Sequence, residues 1–525
     1  MFYVIMQRRS AFKWLSVSLV MALFLSVWGG ANRASAFTAT NADAAMNSLV
    51  NVFYDANAKY FYTNSDHLIH AAHAYGPDGG LYTDFWWEAQ MWETVMDAYQ
   101  RTGNSTYRTM IDDIYTGFNA KYTNMIDNQF NDDLGWWALA CLRAYEITGT
   151  QEYLNRGSFL FDQVYAYWDT TYYGGGIWWR KDATNPAISS NAQKNMATNA
   201  PMVMTAIKLK NAYNNNTYLT KAQQMYTWVK TKLVSGSKVN DHMEGTGAGI
   251  VKDWDFTYNY GTFLGAATAL YGATGTSSYL TDANHAAGYV IDKMTSATTL
   301  LYEGENDAPG FKMIFARNLN QLRVQAGQSQ YLTFLQQNAT QAWNHRRTSD
   351  GIIGSDWTAP TGSAYIQSLT AAAGASILQF VPSDNYTGNI AGNGLYEAEN
   401  AQRTLVGGVG MINESTQTGF NGRGYVAGWN TNGTSLNFYV NQNSAGTKTI
   451  TFRYAAGAGN ASRYVKVNGV DVAANLNFSG TSGWSSWNTV SLTISLQAGS
   501  NTIQLGYDTS KGNNNWLNMD QLYGL

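Results

Sequence analysis

Three observations predict the fold class of this 525-residue chain: apolar residues recur at helical spacing between residues 40 and 380, a short stop-and-restart motif repeats through that region, and strict alternation takes over beyond residue 381. Together they predict a multidomain protein, an all-α (α/α)6 barrel followed by a β-sandwich module of jelly-roll-like type. The length itself exceeds what one hydrophobic core usually supports.

Residues 1–36 read as an export signal. Arg8, Arg9 and Lys13 form a positive region, Leu15 to Val27 an apolar stretch, and Ala34-Ser35-Ala36 a small-residue cleavage site. The apolar stretch is shorter than the ~20 residues of a spanning helix. Phe12 stands one position late for the twin-arginine pattern, which favours the general export route. A mature chain beginning near Phe37, secreted and free of the membrane after cleavage, is the expectation. Cys141 is the only cysteine, so no intramolecular disulfide can form, a habit that points to a bacterium. Charged residues make up 13% of the chain, about half the usual ~25%. Asn, Thr, Ser, Gly and Tyr take up the difference, which suits an extracellular protein handling neutral polymers. The net charge of -3, with no Lys/Arg cluster beyond the N-terminus, argues against a nucleic-acid partner. Low charge and the lack of exposed heptads favour a monomer.

From 37 to 381 the helical period dominates. Ala98-Tyr99-Gln100-Arg101-Thr102-Gly103 runs on to Tyr107, Ala144-Tyr145-Glu146-Ile147-Thr148-Gly149 to Tyr153, and Leu270-Tyr271-Gly272-Ala273-Thr274-Gly275 to Tyr279, with looser copies at Ala212-Tyr213 and Ala326-Gly327. A helix stopped by glycine in a left-handed cap, a tight turn and a tyrosine-led restart account for the motif. Helices are expected to begin near residues 41, 86, 108, 133, 151, 196, 217, 260, 277, 311, 328 and 364. Six hairpins could form an open solenoid or a closed ring. The ring is favoured because Asp84-Phe85-Trp86-Trp87-Glu88, Asp132-Asp133, Trp254 to Tyr260 and Phe311-Lys312 all fall at hairpin starts, where one central cleft would gather them.

Asn131-Asp132-Asp133-Leu134-Gly135-Trp136-Trp137 carries the chemistry. Cleaving a glycosidic bond takes two carboxyl groups, and tryptophan offers the flat apolar surface on which sugar rings lie. The competing reading is helix capping, since Asn and Asp accept hydrogen bonds from first-turn amides. Three consecutive capping residues would be redundant, however. Adjacent tryptophans also diverge by ~100° on a helix, so both are not expected to face its core. Consecutive α-carbons lie ~3.8 Å apart, which suits the ~5–5.5 Å carboxyl separation of retaining enzymes better than the ~6.5–9.5 Å of inverting ones. One of two acids so close holds its proton, and the pair titrates as a unit. The sequence does not order the two roles. His67, His70 and His73 recur every three residues but lack suitably spaced carboxylates or thiolates for a metal. Glu303, Glu305 and Asp307 read first as a solvated loop, with an alternative acid or a calcium site as the competing readings.

Tyr82 to Gln90, Asn131 to Ala138, Gly174-Gly175-Gly176-Ile177-Trp178-Trp179, Thr198-Asn199-Ala200-Pro201 and Phe311 to Arg317 together resemble family 76 of the glycoside hydrolases, endo-acting α-1,6-mannanases and related transglycosylases. The resemblance implies an (α/α)6 barrel that hydrolyses α-1,6-linked mannan with retention and needs no cofactor for catalysis. It makes Asp132 the nucleophile and Asp133 the general acid/base. Asp84, Trp136, Trp137, Asn199, Tyr258, Asn259 and Lys312 are the expected substrate-binding residues, with Trp86, Trp87, Trp178, Trp179 and Tyr260 divided between sugar platforms and core. Met313 stands where a small residue is expected after Phe-Lys and should narrow the cleft. A transglycosylase, another (α/α)6-barrel glycosidase or lyase, and a non-catalytic glycan-binding surface protein are the alternatives.

Residues 382–394, rich in Asn, Gly and Ser, read as a linker. In 395–525, alternation over Ser435 to Val440, Lys448 to Tyr454, Tyr464 to Val467 and Asn501 to Leu505 predicts the β-sandwich. Its opening Tyr396-Glu397-Ala398-Glu399-Asn400 and closing Asn515 to Leu522 resemble carbohydrate-binding modules of family 6. That resemblance implies a structural Ca²⁺ held by Glu397, Glu399 and Asp520, an all-oxygen set. It also implies sugar binding by Tyr425, Trp487 and Asn518, with Trp429, Trp484 and Trp516 as rivals for the stacking role.

Overall fold

The computed structural model describes residues 37–525 except 103, 327, 382–395, 399, 400, 405–410, 415, 422–424 and 443. The predicted export signal and linker therefore lie outside the described residues. Among those described, no helix is long and apolar enough to cross a membrane.

Among the described residues, twelve helices of 13 or more residues form six antiparallel pairs, five of them consecutive hairpins and the sixth made by the first and last helices. They are α1 (Ala39–Phe53), α2 (Phe85–Thr102), α3 (Ser105–Lys121), α4 (Asn131–Thr148), α5 (Gln151–Tyr165), α6 (Met196–Tyr213), α7 (Asn216–Leu233), α8 (Thr257–Thr274), α9 (Ser277–Lys293), α10 (Ala308–Gln325), α11 (Leu332–Asn344) and α12 (Ser368–Phe380). The even-numbered helices form an inner ring in which each packs on the next and α12 closes on α2. The closed ring, not the open solenoid, is the architecture. Gly149 (φ 71°) and Gly275 (φ 70°) end α4 and α8 in the left-handed caps the repeat predicted, and Asn214 (φ 49°) does the same after α6. Outer helices bury one face: α9 turns Ala283, Ala286, Ala287 and Val290 inward. Inner helices are wrapped by neighbours and buried nearly all round, as in α6 and α8.

The ring's interior holds a charged layer. Arg143 of α4 donates to Glu93 (2.7 Å) and Asp97 (2.5 Å) of α2, and Arg317 of α10 donates to Asp97 (2.7 Å). Two guanidiniums against two carboxylates satisfy each other where water is excluded. Short connections join five of the inner helices to their outer partners, the sixth pair being α12 with α1, and longer segments lead back to the inner N-termini. All the inner N-termini and these segments therefore gather at one mouth of the barrel.

The C-terminal module has its own core around Trp429, Phe438, Phe452, Phe478 and Leu505. Its strands are β1 (Tyr396–Glu397), β2 (Gln402–Thr404), β3 (Ile412–Glu414), β4 (Tyr425–Ala427), β5 (Ser435–Gln442), β6 (Gly446–Ala455), β7 (Ala461–Val467), β8 (Val470–Phe478), β9 (Asn488–Leu496), β10 (Gly499–Gly506) and β11 (Asn518–Tyr523). They make two antiparallel sheets, β3-β4-β11-β6-β9 with β1 also on β11, and β2-β5-β10-β7-β8. This is the predicted sandwich.

Candidate active site

Asp132 and Asp133 sit in the first turn of α4, partly open at the barrel mouth. The Asn131-Asp132-Asp133 run divides its labour. Asn131 is fully buried, its backbone N–H donating to the Trp179 carbonyl (2.8 Å) and its side chain to the Trp178 carbonyl (2.9 Å). It thereby pins the segment that arrives from α5. Asp132 Oδ1 accepts from the Asp133 N–H (3.1 Å) within the first turn, while the N-cap residue, Phe130, has no side-chain cap. Asp132 Oδ2 accepts from Trp179 Nε1 (2.9 Å) and from Asn195 (3.4 Å). Asp133 Oδ2 accepts from Asn128 (2.8 Å).

Trp179 reaches Asp132 because its loop is held from behind. Asn199 accepts from the Ile177 N–H (2.7 Å) and donates to its carbonyl (3.0 Å). The buried ammonium of Lys194 donates to the carbonyls of Asp169, Tyr172 and Gly175. Gly175 (φ 148°) and Gly176 (φ 92°) pass so close to Trp228 that a Cβ at Gly176 would lie 2.6 Å from its ring.

Further acids line the mouth. Asp84 caps the Trp87 N–H (3.1 Å) and faces His73 Nε2 (3.1 Å). Asp307 accepts from the indoles of Trp87 (2.8 Å) and Trp86 (3.2 Å). Tyr258 donates to Asp241 and lies within electrostatic reach of Asp132.

This environment separates the two neighbours. Burial raises the Asp132 carboxyl to about 6, against donors from Asp133, Asn195 and Trp179 that favour its anion. Asp133 is raised well above its ordinary value, first by burial, then by the charges of Asp132 and Asp84. Asp132 thus ionises first and Asp133 keeps its proton to higher pH, an order that the sequence could not supply.

Several expected binders are elsewhere. Trp137 is fully buried, stacked on Phe118, with its indole N–H on the Phe85 carbonyl. Trp136 is nearly buried against Trp86. Both can be buried because an inner helix packs on two sides, which the argument from divergence overlooked. Trp87, Trp178 and Tyr260 are core residues as well. Asn199 and Asn259 are fully buried, the latter donating to the Trp254 carbonyl. Lys312 is buried and donates to the Ser355 carbonyl (2.6 Å). Trp137, Asn199, Asn259 and Lys312 are thus structural, with almost no surface left to meet a sugar. Met313 is buried against Thr94 rather than narrowing the cleft. Of the expected set, Asp84, Asp132, Asp133 and Tyr258 converge. Asn128, Asn195, Trp179, His73 and Asp307 join them from other loops.

In the module, Tyr425 is fully buried between Phe420 and Trp487, its hydroxyl accepting from the Gln417 N–H (3.2 Å), so it is no open platform. Trp487 is half-buried, with its indole N–H on the Thr418 carbonyl (2.9 Å), and Asn518 is mostly buried. Trp429 is core, Trp484 half-buried, and Trp516 exposed. Asp520 is buried, with Oδ2 on Arg453 and the Asn421 N–H, and Oδ1 without a partner among the described residues. Glu397 lies opposite Gln521 in the sheet. Glu399 and the Glu397 side chain lie outside the described residues.

The chain's residues 38–384 match the glycosyl hydrolase family 76 model, and residues 397–523 match carbohydrate binding module (family 6). The mannan endo-1,6-alpha-mannosidase DFG5 of Saccharomyces cerevisiae is 28% identical over 284 residues, 48% of this chain and 60% of that protein. The chain therefore spans less than two thirds of that relative's length. The GH76A alpha-1,6-mannanase of Salegentibacter sp. HEL1_6 is 28% identical, with a TM-score of 0.58, over 65% of this chain and 98% of that one. An inactive variant of that enzyme, with two consecutive aspartates changed to asparagine, is described in complex with alpha-1,6-mannotriose. With two thirds of its length matched by the family model, the chain belongs to glycosyl hydrolase family 76.

Proposed function

We propose that the protein is a secreted endo-hydrolase that cleaves α-1,6-linked mannan backbones with retention of anomeric configuration. The observation that carries the reading is the unequal environment of adjacent Asp132 and Asp133. In the first step an Asp132 carboxylate oxygen attacks C1 of the sugar. Asp133 gives its proton to the glycosidic oxygen, the C1–O bond breaks, and a glycosyl ester on Asp132 forms. Asp133, now ionised, takes a proton from water, whose oxygen attacks C1 and releases the Asp132 carboxylate. Trp179 and Asn195 orient the nucleophile and favour its anion. Asp84 adds negative charge that keeps Asp133 protonated. The inactive Salegentibacter variant with two consecutive aspartates changed supports a catalytic role for such a pair, without ordering its two members.

The module would hold the enzyme on its polymer. The buried, unpartnered Asp520 Oδ1 fits a hard cation, so Glu397, Glu399 and Asp520 would hold Ca²⁺ there, supplying rigidity and no chemistry. Export would remove residues 1–36, and N-terminal sequencing of exported protein should begin at Phe37.

The test is hydrolysis of unbranched α-1,6-mannan by wild type, Asp132→Asn and Asp133→Asn. Wild type should release reducing manno-oligosaccharides, and each variant should lose at least about a thousandfold in rate. Unsaturated products, or variants as fast as wild type, would sink the reading.

A further inference from the structure

A concavity of about 440 Å³ adjoins the loops that carry His73 and Asp307, within the ~300–1,000 Å³ range of small-ligand sites. It shares two loops with the candidate active site: Ala72 precedes His73, and Glu305 and Asn306 precede Asp307. Gln367 and Asn306 bind each other reciprocally, Gln367 accepting from the Asn306 N–H (3.0 Å) and donating to its side-chain oxygen (2.7 Å). This pair makes a rigid wall on the pocket.

We infer that this pocket is a second sugar site, taking a neutral hexose unit of the substrate remote from the bond that is cut. The inference rests on the mannan-hydrolase reading above. Three features carry it. Tyr365, 39% exposed, lines the pocket and is stacked by His70 at 3.6 Å between ring centroids, 9° from parallel. Since Asp66 in turn holds His70 (2.8 Å), the platform is pre-set before a sugar arrives. Glu305 and Asp356 place carboxylates in the lining, acceptors for sugar hydroxyls that repel phosphate or uronate. Thr370 contributes a buried hydroxyl that has no partner among the described residues. Apolar platform, anionic acceptors and an unsatisfied hydroxyl are what an uncharged pyranose with vicinal hydroxyls requires.

The hexose could be a further unit of the mannan backbone or a mannosyl side branch, and substrate choice separates the two. Ala364→Trp would fill the pocket from an exposed position, and Glu305→Ala would remove an acceptor without adding bulk. Each is assayed with wild type on α-1,6-mannotriose, linear α-1,6-mannohexaose and branched mannan. Rates on mannotriose should stay within about twofold of wild type, which also shows that the variants fold. A rise in KM of about tenfold on the linear hexasaccharide, with kcat unchanged, assigns the pocket to the backbone, and the same rise confined to branched mannan assigns it to the branch. Kinetics equal to wild type on all three substrates would overturn the proposal. If wild type itself cleaves none of them, the mannan-hydrolase reading falls first, and this inference with it.

Discussion

Replacing Trp179 with phenylalanine keeps an aromatic ring but removes the indole N–H that Asp132 Oδ2 accepts at 2.9 Å. A hydrogen bond to a charged group is worth roughly 1.5–3 kcal/mol. One pKa unit corresponds to ~1.36 kcal/mol, so the bond accounts for ~1–2 units. Trp179 is only half-buried, and water can replace part of what is lost, so the lower figure applies. The donor favours the ionised form, so its removal raises the Asp132 carboxyl from about 6 by ~1 unit. Because the nucleophile must be ionised, activity is present above that value and lost as pH falls through it. The acidic limb of kcat/KM on unbranched mannan should therefore move upward by about one unit, with the loss greatest at low pH. A uniform fall at every pH, with the limb unmoved, would refute the claim that Trp179 tunes Asp132.

The opposite limb tests Asp133. Asn128→Ala removes a donor that favours the Asp133 anion, so the basic limb should shift to higher pH; a downward shift would contradict the acid assignment. Asn199→Ala strips both bonds from Ile177 in a fully buried place and should cost about 2–4 kcal/mol in denaturant unfolding. A change below about 0.5 kcal/mol would mean that Asn199 does not brace the Trp179 loop. Chelator treatment should lower the unfolding temperature of the C-terminal module while leaving mannotriose hydrolysis unchanged. Calcium should restore it, and Asp520→Asn should abolish the response.

How much of this was legible beforehand follows from how local each signal is. Helix starts fell within four residues of expectation, because a Gly or Asn stop and a tyrosine restart are written contiguously, as at Gly149 to Tyr153. The largest offsets are at α11, where a 3₁₀ turn over Ser329–Tyr331 precedes the helix, and at α12, whose all-round burial leaves no amphipathic edge to mark its start. The Asp132-Asp133 pair was visible because both acids stand in one short run. Asn128 stands five residues before Asp133, but Asn195, His73 and Asp307 reach the cluster from three other segments, and no periodicity announces such convergence. Trp179 was expected as a sugar platform or core residue, and it serves instead as a donor to Asp132. Trp137, Asn199, Asn259 and Lys312 were placed in the site because their types suit sugar. On an inner helix packed on both sides, those same types serve as core and braces.

The central claim is that neighbouring acids divide nucleophile and proton donor between them. It is met most directly by following the anomeric proton signals of the first products released from unbranched α-1,6-mannan, before mutarotation. The α-anomer should appear first and the β-anomer only as the solution equilibrates. Initial release of the β-anomer would contradict the account, because it would require water rather than Asp132 to attack the sugar carbon.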